Sequence, residues 1–278
     1  MDESDYRHPG AGRSNNMVGI STDLLANVDF NDYPMSLHLS GVREMNKNLF
    51  EMLGQAESKE EAAEAFYNYM NAIFGIEPEQ WEKQKTKPRA DQGAVRRFAS
   101  SYLRLLKGWG FETCGPEGAV LKGWVESRFG LAPLYHKETI HSINSTAWME
   151  YIQEKMNSRF HNNAIHTQLD ILYEFCQWSL ERFGDADQTH ITLYRGMNLP
   201  DGALIKSSDG TCRLRLNNLV SFSADREVAS CFGDTVLTAR IPLCKILFFN
   251  ALLPVHPLQG ESEFMVIGGD YRVEASVY

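Results

Sequence analysis

The chain changes its hydrophobic period about two thirds of the way along. Up to residue 184 apolar side chains recur three and four apart, the spacing of helices with one buried face; beyond it they alternate, the spacing of half-buried strands. Ser58-Lys59-Glu60-Glu61 reads as a capping box and predicts a helix running to Phe74, closed by Gly75. A second helix is predicted after Asp91, with Val95, Phe98, Tyr102 and Leu105 on one side and a stop at Gly108. Pro116 opens a third that ends near Gly130. Ser145 is expected to cap a helix carrying Trp148, Tyr151, Ile152 and Met156, and a longer helix is expected from about Ala164 to Phe183. Ser36 to Leu53 also reads as helical, and Ile76 to Ala90, with Pro78, Pro88 and a lysine-rich run, as a connector.

After Gly184 the strand candidates are His190 to Tyr194, Val220 to Ser223, Thr235 to Ile241, Lys245 to Asn250, Glu261 to Ile267 and Tyr271 to Val277. A single short helix, Asp225 to Phe232, interrupts them before Gly233. Helices followed by strands indicate an α+β fold, with an α-helical region over 1–185 and a β-rich region over 186–278.

Composition narrows the function. With 278 residues, 43% hydrophobic and 23% charged, the chain belongs to the ordinary globular class. A net charge of -9 and a pI near 5.4 argue against a nucleic-acid footprint, which needs a basic face. The five cysteines are scattered and odd in number, as in a cytoplasmic protein with reduced thiols; Cys231 and Cys244 read as buried. The polar start of the chain has no apolar core of a signal peptide, and Ile246 to Leu253 is too short to span a bilayer. His136 and His141, like His161 and His166, are five apart and do not share a helical face, so no metal is expected. Glycine-rich phosphate loops, a nucleophile elbow and H-E-x-x-H are absent from the sequence.

Three short words carry the candidate chemistry. Tyr194-Arg195-Gly196 ends a predicted strand, and the arginine offers a planar fork for a pyrophosphate or a carboxylate beside a glycine that permits close approach. Ser221-Phe222-Ser223 places two hydroxyls on one face of a strand, suited to a ribose or to a neighbouring carboxylate. Glu261-Ser262-Glu263, read as strand, puts two carboxylates in one small volume, a costly arrangement that fits a cation. Each word has a plain structural alternative: a surface ion pair for Arg195, polar turn residues for the serines, a charged strand edge for the glutamates. Phe222 and Phe232 both read as core.

Together, in this order and at separations of 26 and 40 residues, the words resemble the R-S-E signature of arginine-specific mono-ADP-ribosyltransferases. Over its whole length, including His141-Ser142-Ile143-Asn144, the chain resembles the dinitrogenase reductase ADP-ribosyltransferases of nitrogen-fixing bacteria. The resemblance implies a β-sandwich core that uses NAD as co-substrate. Arg195 and Gly196 would contact NAD, Ser221 and Ser223 the ribose region, with Ser221 orienting Glu263. Glu263 would be catalytic at the ribose, and Glu261 would engage the acceptor arginine. The partner it implies is dinitrogenase reductase, with a PII-type nitrogen regulator as a second. Phe222 stands where the family often has threonine, and Pro254 to Gly260, which in the family helps recognise the target, has His256 as its one ring. An NAD glycohydrolase and a non-catalytic NAD-binding adaptor are the competing readings.

Overall fold

The protein is described from a computed structural model over residues 16–76, 100–199, 205–206, 212–258, 260 and 262–277. Helices come first and antiparallel strands afterwards, an α+β arrangement. Helices span Thr22–Ala26 (α1), Val28–Asp32 (α2), Val42–Met45 (α3), Lys47–Leu53 (α4), Lys59–Phe74 (α5), Tyr102–Phe111 (α6), Pro116–Phe129 (α7), Thr146–Lys155 (α8), Ile165–Phe183 (α9) and Arg226–Ser230 (α10). Strands span Tyr135–His136 (β1), Glu138–Thr139 (β2), His190–Met197 (β3), Ile205–Lys206 (β4), Cys212–Ser223 (β5), Thr235–Pro242 (β6), Ile246–Phe249 (β7) and Glu263–Val277 (β8).

The expected caps form. The Ser58 hydroxyl accepts the Glu61 amide at the start of α5, Ser145 accepts that of Trp148 at the start of α8, and Gly75 and Gly130 close α5 and α7 in the left-handed region. Other boundaries differ. The helix α6 passes through Gly108 to Phe111, because Gly108 lies where a Cβ would meet the Glu117 side chain of α7: the glycine marks a close helix crossing, not a stop. Residues 91–99, where that helix was expected to begin, and most of the connector lie outside the described residues. Residues 36 to 53 hold two short helices, α3 and α4, in place of one.

Among the described residues six strands form one sheet in the order β4-β5-β3-β6-β8-β7, with a further pairing of β5 to β8. The 15-residue β8 makes this possible: Glu263 to Val273 pairs with β5, and Val273 to Val277 with β6, so the sheet folds back on itself. Two separate strands were expected here, Glu261 to Ile267 and Tyr271 to Val277, which leaves Gly268-Gly269 between them. Instead the glycines sit where β5 bulges between Leu216 and Leu219, and a Cβ on Gly268 would lie 1.6 Å from the Asn217 carbonyl oxygen. The strand β5 is also longer than expected; Cys212 to Leu216 alternates with Leu214 and Leu216 inward. At its start β8 is shorter, beginning at Glu263 with Ser262 in a turn.

The long helix α9 joins the helices to the sheet. Phe175 stacks on Phe66 of α5 at 4.0 Å between ring centres, and Gln177 donates to the carbonyl of Ile246 at 2.8 Å, the first residue of β7. The carboxylate of Glu174, fully buried, accepts from Arg43 and from the Leu39 amide, both at 2.6 Å. One apolar core contains residues of both parts of the chain, from Leu25 to Val273.

Lys245 is buried within this core. Its ammonium donates to the Leu25 carbonyl at 2.7 Å and lies between the rings of Phe30 and Tyr271. Burial pushes its pKa down to about 7 from 10.5. The unfolded chain therefore binds the extra proton between these two values, so the penalty for Lys245 is complete below about pH 7 and relieved as pH rises toward 10.5. Urea denaturation across this range should show the wild type gaining on Lys245→Met with rising pH, by at most about 1.4 kcal/mol per pH unit. A stability difference that is flat with pH would contradict this placement.

Candidate active site

Three neighbouring strands bring the candidate residues together. The strand β3 carries Arg195, β5 ends with Ser221 and Ser223, and β8 begins with Glu263; Tyr194 stands opposite Ser223 in the ladder, and Ser223 opposite Glu263. Residues separated by up to 68 positions in the sequence thus occupy one end of the sheet.

Ser221 is the centre of the cluster. Its hydroxyl donates to Oε1 of Glu263 at 2.7 Å, and its carbonyl accepts from Nη1 of Arg195 at 2.6 Å. A third partner comes from the helical part: the indole N–H of Trp109, on α6, reaches the Ser221 hydroxyl oxygen at 2.8 Å. Nε of Arg195 is buried and has no protein partner among the described residues. A guanidinium with a spare donor next to a carboxylate fits an anionic or hydroxyl-rich ligand.

Burial raises the pKa of Glu263, while the Ser221 hydroxyl, the Gly260 backbone and Arg195 draw it back toward the ionised form. Arg195 is shifted the other way: desolvation lowers its pKa and the Glu263 charge opposes the change. The two groups each lessen the cost of burying the other.

The remaining sequence candidates are placed differently. The Ser223 hydroxyl accepts the Asp225 amide at 3.0 Å and so shapes the turn into α10. The missing side chain of Gly196 serves packing: a Cβ there would lie 1.8 Å from the Ala229 carbonyl oxygen, so α10 rests directly on β3. Glu261 lies outside the described residues. The Glu263 amide bonds back to the Gly260 carbonyl at 3.2 Å and Ser262 lies in a turn, so the described strand starts at Glu263.

Phe222 is core, 2% exposed and tilted against Tyr271. Phe232, expected in the core, is 70% exposed, and Cys231, expected buried, is exposed as well. The reason is shared: α10 stops at Ser230, and the following turn carries both side chains outward, leaving Phe232 alongside Gly196.

Two contributors were missed from sequence. Trp109 lies one residue beyond the helix stop expected at Gly108, inside the helix as it forms, and nothing local marks its N–H as a site donor. Asn250, also buried, pins the loop before Glu263: Nδ2 donates to the Gly260 carbonyl at 3.1 Å, and Oδ1 accepts the Leu258 amide at 3.3 Å. His256 binds the Asn250 carbonyl at 3.2 Å and belongs to the same anchor. No group of three or more His, Cys, Asp or Glu among the described residues is placed to hold a metal ion.

A fixed carboxylate, oriented by a serine and set beside an arginine, can stabilise positive charge developing at a sugar carbon while the arginine holds a phosphate. Residues 15–275 match the family model described as dinitrogenase reductase ADP-ribosyltransferase. The chain belongs to this family. It is similar to the NAD(+)--dinitrogen-reductase ADP-D-ribosyltransferase of Rhodospirillum rubrum, 57% identical over 278 residues that cover 99% of each protein. No solved structure matches the chain.

Two outcomes follow for this member of the dinitrogenase reductase ADP-ribosyltransferase family. Ser221→Ala removes a donor to Glu263, so the carboxyl should titrate at higher pH, as read by carbon-detected NMR; an unmoved midpoint would remove Ser221 from its control. Gly196→Ala should cost about 1 to 3 kcal/mol in chemical denaturation, since the clash is with backbone that cannot rotate away.

Proposed function

We propose that this protein transfers ADP-ribose from NAD to an arginine of dinitrogenase reductase, the iron protein of nitrogenase, releasing nicotinamide. The observation that carries the reading is the Ser221–Glu263 hydrogen bond beside Arg195, built on three adjacent strands of a chain that matches the family over residues 15–275. The folded sheet is read as the β-sandwich core of an ADP-ribosyltransferase, with residues 186–278 as the catalytic part and the helical region packed on it as one unit.

Roles follow from the chemistry of each group. Arg195 holds the NAD phosphates, using the buried Nε that has no described protein partner. Gly196 offers backbone to the nicotinamide amide, and Phe232, exposed beside it, offers a ring to the nicotinamide face. Ser221 orients Glu263; Ser223, engaged with Asp225, acts by shaping the turn next to the ribose.

As the bond from C1' of the ribose to nicotinamide breaks, the electron pair leaves with nicotinamide and the sugar becomes oxocarbenium-like. Glu263 binds the ribose hydroxyl and meets charge that is largest in the transition state. A guanidinium nitrogen of the target then attacks C1'. The arginine is protonated and poorly nucleophilic until it gives up a proton, and Glu261 is assigned to pair with the cation and accept that proton. An added ADP-ribose replaces one positive charge with negative charge and bulk, which blocks docking at that surface. This is the chemistry of a switch that turns nitrogen fixation off. A cytoplasmic site of action is part of the reading, as is contact of the helical region with a PII-type regulator. No helix among the described residues is long and apolar enough to cross a membrane.

The test is mass spectrometry of purified iron protein incubated with NAD and this protein. Glu263→Gln should lower transfer by on the order of hundreds-fold. Glu261→Gln should abolish arginine modification yet leave some NAD hydrolysis. No added ADP-ribose with the wild type would point to a non-catalytic NAD-binding protein. Nicotinamide release without labelling would point to a glycohydrolase, and equal loss of both activities in Glu261→Gln would remove its acceptor role.

A further inference from the structure

We infer that Trp109, a residue of the helical region, is a positioning residue for the catalytic carboxylate, acting by fixing the direction of the Ser221 hydroxyl. The inference rests on the role of Glu263 given above.

Donor and acceptor counts fix the direction of each hydrogen bond at Ser221. An indole N–H can only donate, whereas a serine hydroxyl has one hydrogen and can also accept. With Trp109 Nε1 at 2.8 Å from the Ser221 oxygen and Oε1 of ionised Glu263, which can only accept, at 2.7 Å, only one assignment uses both contacts. The indole donates to the serine, and the serine gives its single hydrogen to the carboxylate. Without the indole the hydroxyl is free to turn about its C–O bond. The chain of donors also strengthens each link, since a hydroxyl that accepts a hydrogen bond becomes a better donor.

The placement of Trp109 is itself enforced. The ring is 2% exposed. Its helix α6 is capped by Ser101, its first amide, that of Tyr102, donates to the buried Oε1 of Gln168 on α9 at 3.0 Å, and its Gly108 lies in close contact with Glu117 of α7. Two other helices therefore set where the indole N–H points. The groups that act on Glu263 come from three directions: Arg195 on β3, Ser221 on β5, and the Gly260 backbone of its own loop. Trp109 extends this set to the helical layer, so the β-rich part alone lacks one component of the site.

The test uses the full chain with NAD and iron protein and compares wild type, Trp109→Phe, Ser221→Ala and the double variant. Trp109→Phe should lower kcat by about 10-fold, with KM for NAD changed less than about threefold, because the lost contact acts on the transition state. Its acid limb should shift to higher pH, since Glu263 then holds its proton more tightly. Beside Ser221→Ala, Trp109→Phe should cost nothing further. An equal loss with and without Ser221, or an unshifted acid limb, would show that Trp109 only packs. Should the phenylalanine variant not fold, benzothienylalanine at position 109, which keeps the shape of the ring and lacks the N–H, must reproduce the loss; full activity with that analogue overturns the inference. Glu263→Gln is measured in parallel. If it retains wild-type transfer, the reading of Glu263 fails, whereas if it is inactive while Trp109→Phe is fully active, only the role of Trp109 fails.

Discussion

A carboxylate taken out of water must be met by donors, and the arrangement of one end of the sheet follows from that need at Glu263. Burial alone would favour its neutral form. Ser221, the Gly260 backbone and Arg195 oppose this from three different segments, and each of those segments is held by something else. Ser221 is held by Trp109, and the Gly260 loop by Asn250. Arg195 is anchored through the Ser221 carbonyl. The result is an ionisable pair that is expensive in isolation and tolerable only as a network.

Such a network requires segments far apart in sequence to approach more closely than side chains ordinarily allow. Glycines provide the room. At Gly196 the short helix α10 lies with the Ala229 carbonyl where a Cβ would be, which brings the turn carrying Phe232 next to the end of β3. At Gly268 the bulge of β5 does the same to β8, and the 15-residue strand can then pair with β5 along one part of its length and with β6 along the other. In both places the glycine accommodates protein backbone, which is why reading it only as a turn or as an opening for a ligand misjudges the local structure.

Much of the helical part was legible in local signals. Ser58, Ser145, Pro116, Gly75 and Gly130 act through contacts within a few residues, so their positions predict the helix ends they produce. The errors fell where a distant partner decides. Gly108 permits a helix crossing instead of ending a helix, Gly268-Gly269 bends a strand instead of dividing it, and α10 stops early enough to turn Cys231 and Phe232 outward. The alternation of Cys212 to Leu216 was present in the sequence and is the part of β5 that a period count recovers.

For the site, the chemical inventory is carried by residue identity and order: an arginine, a serine pair and a glutamate pair in a set order, together with the family to which that order belongs. These are properties of residue identity and spacing, which need no coordinates. How the inventory is used depends on the fold. It gave the Ser221–Glu263 link, which the resemblance implies, its geometry, turned Ser223 toward Asp225 and brought in the indole of Trp109 from 112 residues away. The physical reason is that a hydrogen bond depends on distance and direction in space, and the packing of helices α6, α7 and α9 sets both for Trp109 without leaving a local trace in the chain.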